Sequence, residues 1–424
     1  FWILYSGFCI LIFNTRFRLR KSMWSKLFLP IMAITLNGAW CSAYGNEIKF
    51  TPFASLKQEF NDNIFLDSHD KQSDFISTFS PGIELSDRSE RLDAALSLRI
   101  SGILYARSED LDAIDQDYRG RFGYLLTPRT RVTGSAAYTL DSRPDRDVET
   151  TGLVLGAVKR HRQSYSFAAE HSLTEKTSLA VNYGYEQDDY DNEGFTDLRW
   201  HSAGLSLLHD MDSMMRNTRG SLNVGYAHYD FTGSTVDNIA LTLGIDTSLT
   251  ELWSVQAYAG ARHTISEYEI LTQVIIPPYV VLVPVEQTGR EWGWVGQLAL
   301  TYRGETTSGS LAFSSDVKPS SGETSGTTIR TGLIAEVRKR FSNELSGTLA
   351  VSYFHNESNE GAFTGQRIDE DTILATPGIR YEFSRDMYIE ASYRYTKLFD
   401  NIDSTEADRN IVFVRFYVQH PMEW

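Results

Sequence analysis

Apolar and polar positions alternate along almost the whole chain. In residues 91–107 one parity carries Leu92, Ala94, Leu96, Leu98, Ile100 and Leu104, and the other carries Asp93, Ser97, Arg99, Ser101 and Arg107. In residues 331–341, Leu333, Ala335, Val337 and Phe341 alternate with Ile334, Glu336, Arg338 and Arg340. A period of two sends successive side chains to opposite faces of a strand, so one face of each run meets an apolar medium. About eighteen such runs follow one another, starting near residues 48, 75, 91, 116, 130, 160, 176, 197, 217, 236, 252, 288, 307, 326, 344, 370, 386 and 407.

The connections alternate too. Short ones near residues 87–90, 127–129, 174–176, 342–344 and 384–386 separate long ones near 61–73, 108–115, 141–159, 187–196, 266–287, 355–369 and 399–408. Short turns on one side and long loops on the other describe a barrel of the outer membrane, with the long loops outside the cell. The pattern therefore predicts an all-β fold, a transmembrane antiparallel up-and-down β-barrel of about 18 strands, or 16 if two weak runs merge into loops. Hydrocarbon offers no hydrogen-bond partner, so every strand edge must be closed. A soluble sandwich or propeller hides its apolar face and has no need of alternating loop lengths. Outward aromatics such as Tyr124, Tyr138, Trp292, Trp294, Tyr381, Phe383, Tyr395 and Phe416 fit interfacial girdles, although strand propensity also favours aromatics. Trp424 is a terminal aromatic of the kind such barrels end on, with Pro421 interrupting the last run.

Residues 270–285 depart from the other loops, being almost wholly apolar with Pro277, Pro278 and Pro284 among them. They form either a hairpin turning at the prolines and extending its strands above the membrane, or a lid folded into the lumen or a patch for a partner.

The first 45 residues do not alternate. From Met23 the chain reads as a secretory signal peptide: Lys26, an apolar run over 27–36, and small residues around Ala43. Residues 1–22 read as upstream sequence translated from a misplaced start, an uncleaved anchor being the competing reading. The expected division is 1–45 removed, with cleavage after Ala43 or Gly45, and 46–424 the barrel. Trp40 stands where a lipobox needs a small residue, which disfavours lipidation at Cys41. Cys9 and Cys41 are the only cysteines, so the barrel has no disulfide and no thiolate metal site.

The whole chain carries a net charge of −15. Arg16, Arg18, Arg20, Lys21 and Lys26 precede residue 46 and no acid does, so the barrel alone carries −20. Nucleic acid is excluded as a partner on this charge; the expected surroundings are outer-membrane lipid and lipopolysaccharide.

No catalytic constellation emerges. G-x-S-x-G, H-E-x-x-H and C-x-x-C-H are absent, and His171, His201, His228 and His263 stand singly within strand runs. The reading is no catalysis and no cofactor, the alternative class being a barrel hydrolase acting on lipid or peptide. Glu109, Asp110, Asp112, Asp115 and Asp117, and again Asp188, Asp189, Asp191 and Glu193, gather near loops. The stretch from Asp189 to Gly194 has calcium-like spacing but meets Trp200 where the last carboxylate should stand, so solvated acidic loops are preferred to a metal site. Arg99, Arg107, Arg119, Arg121 and Arg131, with Arg330, Arg338 and Arg340, share the lumenal parity. Such guanidinium groups either line a pore and orient anionic or hydroxyl-rich solutes, or pair with lumenal Glu336, Glu382 or Glu390 to fill the space.

From residue 46 onward the chain resembles an outer-membrane β-barrel porin family found in bacteria whose genomes carry exopolysaccharide-export systems. The resemblance rests on Thr51-Pro52, the loop Asn61-Asp62-Asn63-Ile64-Phe65-Leu66, the stretch Phe79-Ser80-Pro81-Gly82-Ile83, and the residues from Leu173 to Thr177 and Tyr183 to Tyr185. It implies a barrel, passage or export of poly- or oligosaccharide, and exopolysaccharide-secretion components as partners, and it carries over no catalytic residue. A structural or adhesive anchor with a closed lumen is the alternative.

Overall fold

The computed structural model describes residues 47–153, 156–192, 194–212, 215–276, 279–320, 326–358 and 368–423. The N-terminal segment read as a signal peptide and Trp424 lie outside these, as do Glu193, Pro277 and Pro278. Eighteen long strands run antiparallel in chain order. They are β1 (Glu47–Asn61), β2 (Asp74–Arg88), β3 (Leu92–Tyr105), β4 (Ala113–Thr127), β5 (Thr130–Asp141) and β6 (Arg160–Ser172). Next come β7 (Thr177–Tyr190), β8 (Leu198–Asp210), β9 (Thr218–Phe231), β10 (Ser234–Ser248), β11 (Trp253–Ile276) and β12 (Tyr279–Arg303). The set ends with β13 (Thr307–Ser320), β14 (Gly326–Arg340), β15 (Leu345–Glu357), β16 (Asp369–Ser384), β17 (Met387–Asp400) and β18 (Thr405–Gln419).

Each strand pairs with the next, and β1 closes the ring on β18 from Phe53↔Gln419 to Asn61↔Ile411. A two-residue strand β19 (Met422–Glu423) adds Lys49↔Glu423 and Phe50↔Met422 to that seam. Closure leaves no sheet edge in the hydrocarbon along this junction.

The alternation of the sequence becomes two faces. Leu56, Phe79, Leu96, Phe122, Phe167, Val181, Leu205, Leu241, Leu298, Leu333, Val351, Ile379 and Val412 point outward and are exposed. A continuous apolar belt on the outside of a closed barrel is the reverse of a soluble core, and it defines a membrane-spanning wall. Tyr124, Trp253, Phe341, Tyr381 and Phe383 lie within a few residues of the short turns, and Trp292, Tyr353 and Tyr393 near the opposite rim, so the aromatics form girdles. At that rim, polar side chains replace apolar ones: the Tyr226 and Tyr353 hydroxyls donate to Asp237 and Asp371, each also met by a histidine, His228 and His355.

The connections at one end are short, residues 128–129 and 385–386 being two-residue turns, while 62–73 and 142–159 are long and lie at the other end. By this asymmetry the short turns, the start of β1 and the end of β18 face the periplasm. Two outer connections break the rule: β11 and β12 are separated by two residues, and β9 and β10 join through Thr232 and Gly233, with Gly233 at φ +91° where a side chain would be strained.

The apolar stretch 270–285 takes the first of its two expected forms, a hairpin of extended strands: β11 and β12 pair without interruption from Trp253↔Tyr302 to Ile276↔Tyr279, and β12 starts nine residues before the expected 288. β-branched residues, which favour strands, recur along both sides of this ladder. Asp115, Asp117, Asp188 and Asp189 belong to strands β4 and β7 rather than to solvated loops, and Asp188 is fully buried on the lumenal face.

Candidate functional site

The connection between β5 and β6, residues 142–159, does not stand over the cell surface but turns into the barrel. Its short helix α1 (Val148–Thr151) ends at Gly152, whose φ of +76° is left-handed and whose Cα lies so close to Phe354 that a Cβ would meet that side chain at 2.7 Å. Val148 packs on Phe354 of β15 and Leu374 of β16. Asn356 donates from Nδ2 to the Thr151 carbonyl at 2.8 Å, and the Thr372 hydroxyl donates to the Gly152 carbonyl at 2.6 Å. Between β6 and β15 lie nine steps around a ring of eighteen strands, so the loop crosses the lumen to the opposite wall.

Ion pairs pin the crossing along its length. Arg143 reaches Glu59 of β1 at 2.8 Å and Asp145 at 3.0 Å, and Asp145 meets Arg409 of β18 at 3.1 Å. Arg394 of β17 takes Glu149. At the root, Arg160 bonds Asp141 at 2.8 Å and Asp147 at 2.6 Å, while Arg162 grips Asp188 with two 2.6 Å bonds. Burial alone would raise the Asp145 carboxyl, but Arg143 and Arg409 outweigh it and hold the group well below the usual carboxylate range. Asp147 is lowered in the same way, burial being overcome by Arg160 and Arg162. Cations and carboxylates in this knot largely cancel, so it narrows the lumen without adding much field of its own.

Of the arginines expected to line the pore, Arg99, Arg119, Arg121, Arg131, Arg330 and Arg338 lie on the lumenal parity. Arg107 does not: β3 ends at Tyr105, and Arg107 sits in the outer connection with its guanidinium on Ser73. Arg99 and Arg119 share Asp117, at 3.5 and 2.7 Å. Arg330 is half-buried against Asn356, the residue that also holds the inward loop. Arg121, Arg131 and Arg338 are exposed to the lumen with no ion pair among the described residues. Arg121 and Arg131 line one recess of about 280 Å³ beside Asp93. Glu390, expected to pair with one of these arginines, instead takes Arg380 at 3.1 Å. The histidines have local partners: His171 meets Thr130, His201 Tyr183, His228 Asp237 and His263 Trp292.

The residues of the crossing, Glu59, Arg143, Asp145, Arg394 and Arg409, were not singled out from the sequence. Their partners lie as far as 264 positions apart, a separation that no local pattern encodes.

A closed eighteen-stranded barrel with an apolar outer belt and a loop folded across its lumen is an outer-membrane β-barrel of porin-like architecture. Residues 297–420 match the family described as Putative beta-barrel porin 2. That match covers β13 to β18 and the end of β12, whereas the resemblance noted in the sequence rested on residues between 51 and 83 and between 173 and 185. No curated protein matches the chain. Among solved structures, the barrel is similar to OccAB4 of Acinetobacter baumannii, with a TM-score of 0.42, 8% identity and coverage of 89% of this chain and 99% of that one. It is similar to OccK2 of Pseudomonas aeruginosa in complex with glucuronate, with a TM-score of 0.44, 10% identity and coverage of 88% and 98%. It is also similar to the siderophore receptor PiuA of Acinetobacter baumannii, with a TM-score of 0.45, 10% identity and coverage of 89% and 82%.

Proposed function

We propose that the protein is a diffusion or export channel for hydrophilic solutes, with residues 142–159 as its constriction and hydroxyl-rich or anionic oligosaccharide or polysaccharide as its cargo class. The observation that carries the reading is the crossing itself. Barrels of this strand number enclose a lumen wider than side chains can fill, and buried ion pairs hold a loop across it at a fixed height. A channel needs such a fixed narrowing to select among solutes, whereas a closed anchor needs only filling. The exopolysaccharide link, and secretion components as partners, rest on the family resemblance alone. The reading is non-enzymatic: the His69 ring meets the Ser68 hydroxyl at 2.6 Å, but Asp67 accepts only from the His69 backbone N–H, so that imidazole does not link the two as a catalytic base would.

Planar-bilayer conductance of the purified barrel tests this. Steady ion current, with liposome swelling in oligosaccharides up to a size limit, is expected. The second reading, a closed structural anchor, is favoured if no current flows either in the intact protein or in a Glu59→Gln, Asp145→Asn variant whose crossing is released.

A further inference from the structure

The wall is not equally closed all round. Most neighbouring strands share twelve or more register pairs, and β1 and β18 share nine with two more through β19. Strands β12 and β13 share only the eight from Gly296↔Ser315 to Arg303↔Ser308. Continued in register, Val295 would face Asp316, Trp294 would face Val317, and Trp292 would face Pro319; none of these pairs forms, although β12 runs on to Tyr279 and β13 to Ser320. Pro319 has no N–H to give to such a ladder. Above this point β13 keeps β14 as its partner, and β14 approaches β10, four strands away, within 8 Å between Cα atoms. The inward parity of β11 (Arg262, Thr264, Ser266) and the outward parity of β13 (Ser315, Val317) are both buried. The upper part of β13 and β14 is thus tucked inside the wall rather than continuing it, and a seam opens between β12 and β13.

A cavity of about 420 Å³ lies at the foot of that seam. Asn223, Thr242, Gln297, Ser314, Asp316 and Lys318 offer it amide, hydroxyl and charged groups, and Val295 and Gly296 bring it to the separating strand. Gly296 lines it with backbone alone and has outward parity, so the cavity abuts the β12 backbone at the point where pairing with β13 stops. On the outside, the Trp294 indole lies over Gly296 and stacks on Phe313 with centroids 6.3 Å apart. Trp292 and Trp294 are among the most exposed apolar side chains of the belt, 73% and 57%, at the level of the outer girdle.

We propose that this seam is a lateral portal for an amphiphile with a hydroxyl-bearing head and an alkyl tail, the head seated in the cavity and the tail leaving between β12 and β13 into the outer leaflet. A volume of this size is in the range of about 300–1,000 Å³ usual for small-molecule sites. The polarity of the lining suits a neutral sugar-like head, since the Lys318 ammonium is already held by Asp316 at 3.1 Å. The two tryptophans and Phe313 give the tail a wall where the cavity meets the membrane. Trp294 is the shutter, because its ring covers the glycine through which the tail must pass. The portal does not depend on the axial channel.

The probe is an alkyl maltoside carrying a diazirine on its head group, added to the purified barrel in phosphatidylcholine vesicles and compared with the same labelled maltose lacking the tail. Photoadducts on lumenal residues of β9, β10 and β13 are expected for the tailed probe at a concentration at least tenfold below that needed for the tailless one. Filling the cavity with Ser314→Phe, or with Thr242→Leu should the first variant lose heat-modifiable migration, is expected to reduce this labelling at least tenfold while axial conductance stays within twofold. Equal labelling by both probes, or labelling that survives both filling variants, overturns the portal. Labelling at an unchanged rate in Trp294→Ala overturns the shutter role of that ring.

Discussion

Asp145 makes two ion pairs inside the barrel, to Arg143 and Arg409, whose side chain is almost wholly buried. Breaking a buried pair by removing one partner leaves uncompensated charge and costs about 3–5 kcal/mol. Asp145→Asn is therefore expected to release the crossing loop while the barrel, which depends on its ladders, stays folded. Single-channel conductance should rise at least twofold, with heat-modifiable migration on a gel unchanged; unaltered conductance would mean that the loop does not set the constriction. The carboxyl is depressed, so its contribution is present above the ordinary value of about 3.9 and is lost only as pH falls through the lowered one. Asp145 should accordingly contribute no pH dependence from pH 7 to pH 4: any change of conductance over that interval should be shared by the unmodified protein and Asp145→Asn, and a rise near pH 5 confined to the unmodified protein would contradict the geometry of the two pairs. Gly152 is a second lever. A side chain there costs about 1–2 kcal/mol for the left-handed backbone alone, and its Cβ would press on Phe354. In Gly152→Ala, limited trypsin digestion should cut after Arg143 or Arg146, sites that the docked loop protects.

At the scale of elements, the strands were legible because membrane and water sort residues at every second position, and a one-residue slip would turn the entire set over. The starts near 130, 160, 307 and 326 agree with β5, β6, β13 and β14 to the residue. The two connections that matter most were confused for a physical reason. Residues 270–285 attracted the idea of a lid because they are apolar, yet alternation is satisfied equally well by extending a hairpin. Residues 142–151 are as polar as any solvated loop, and their partners on β1, β15, β16, β17 and β18 lie too far along the chain for a local pattern to show that the segment turns inward. The arginines of β3, β4 and β5 show the same limit: parity groups Arg99, Arg119, Arg121 and Arg131 on one face, but register decides which are neutralised. Arg99 and Arg119 share Asp117, whereas Arg121 and Arg131 have no carboxylate pair. An Arg121→Ala, Arg131→Ala variant should therefore shift the zero-current potential in a salt gradient toward cation preference more than an Arg99→Ala, Arg119→Ala variant does. The opposite order would show that pairing with Asp117 does not mask those charges.

For the molecule as a whole, two electrostatic layers act at different distances. The barrel from residue 46 carries −20 overall, and acidic outer residues such as Glu109, Asp110 and Asp191 stand where solutes arrive. The lumenal recess beside Arg121 and Arg131 is locally positive and out of direct contact with that surface. Screening separates the layers: the Debye length is about 30 Å at 0.01 M salt and about 3 Å at 1 M. At low salt the surface field extends over the mouth, repels anions and concentrates cations. At high salt only groups that a passing ion nearly touches still act, and in the recess two guanidiniums, Arg121 and Arg131, outnumber the one carboxylate, Asp93. The anion-to-cation permeability ratio, read from zero-current potentials at a fixed concentration ratio, should thus rise as mean salt is raised from about 0.01 to 1 M. In the Arg121→Ala, Arg131→Ala variant the low-salt value should change little and the rise should flatten. A ratio that falls with salt in the unmodified protein would mean that the passing ions meet carboxylates rather than the two arginines, and the assignment of the recess as the selective contact would fail.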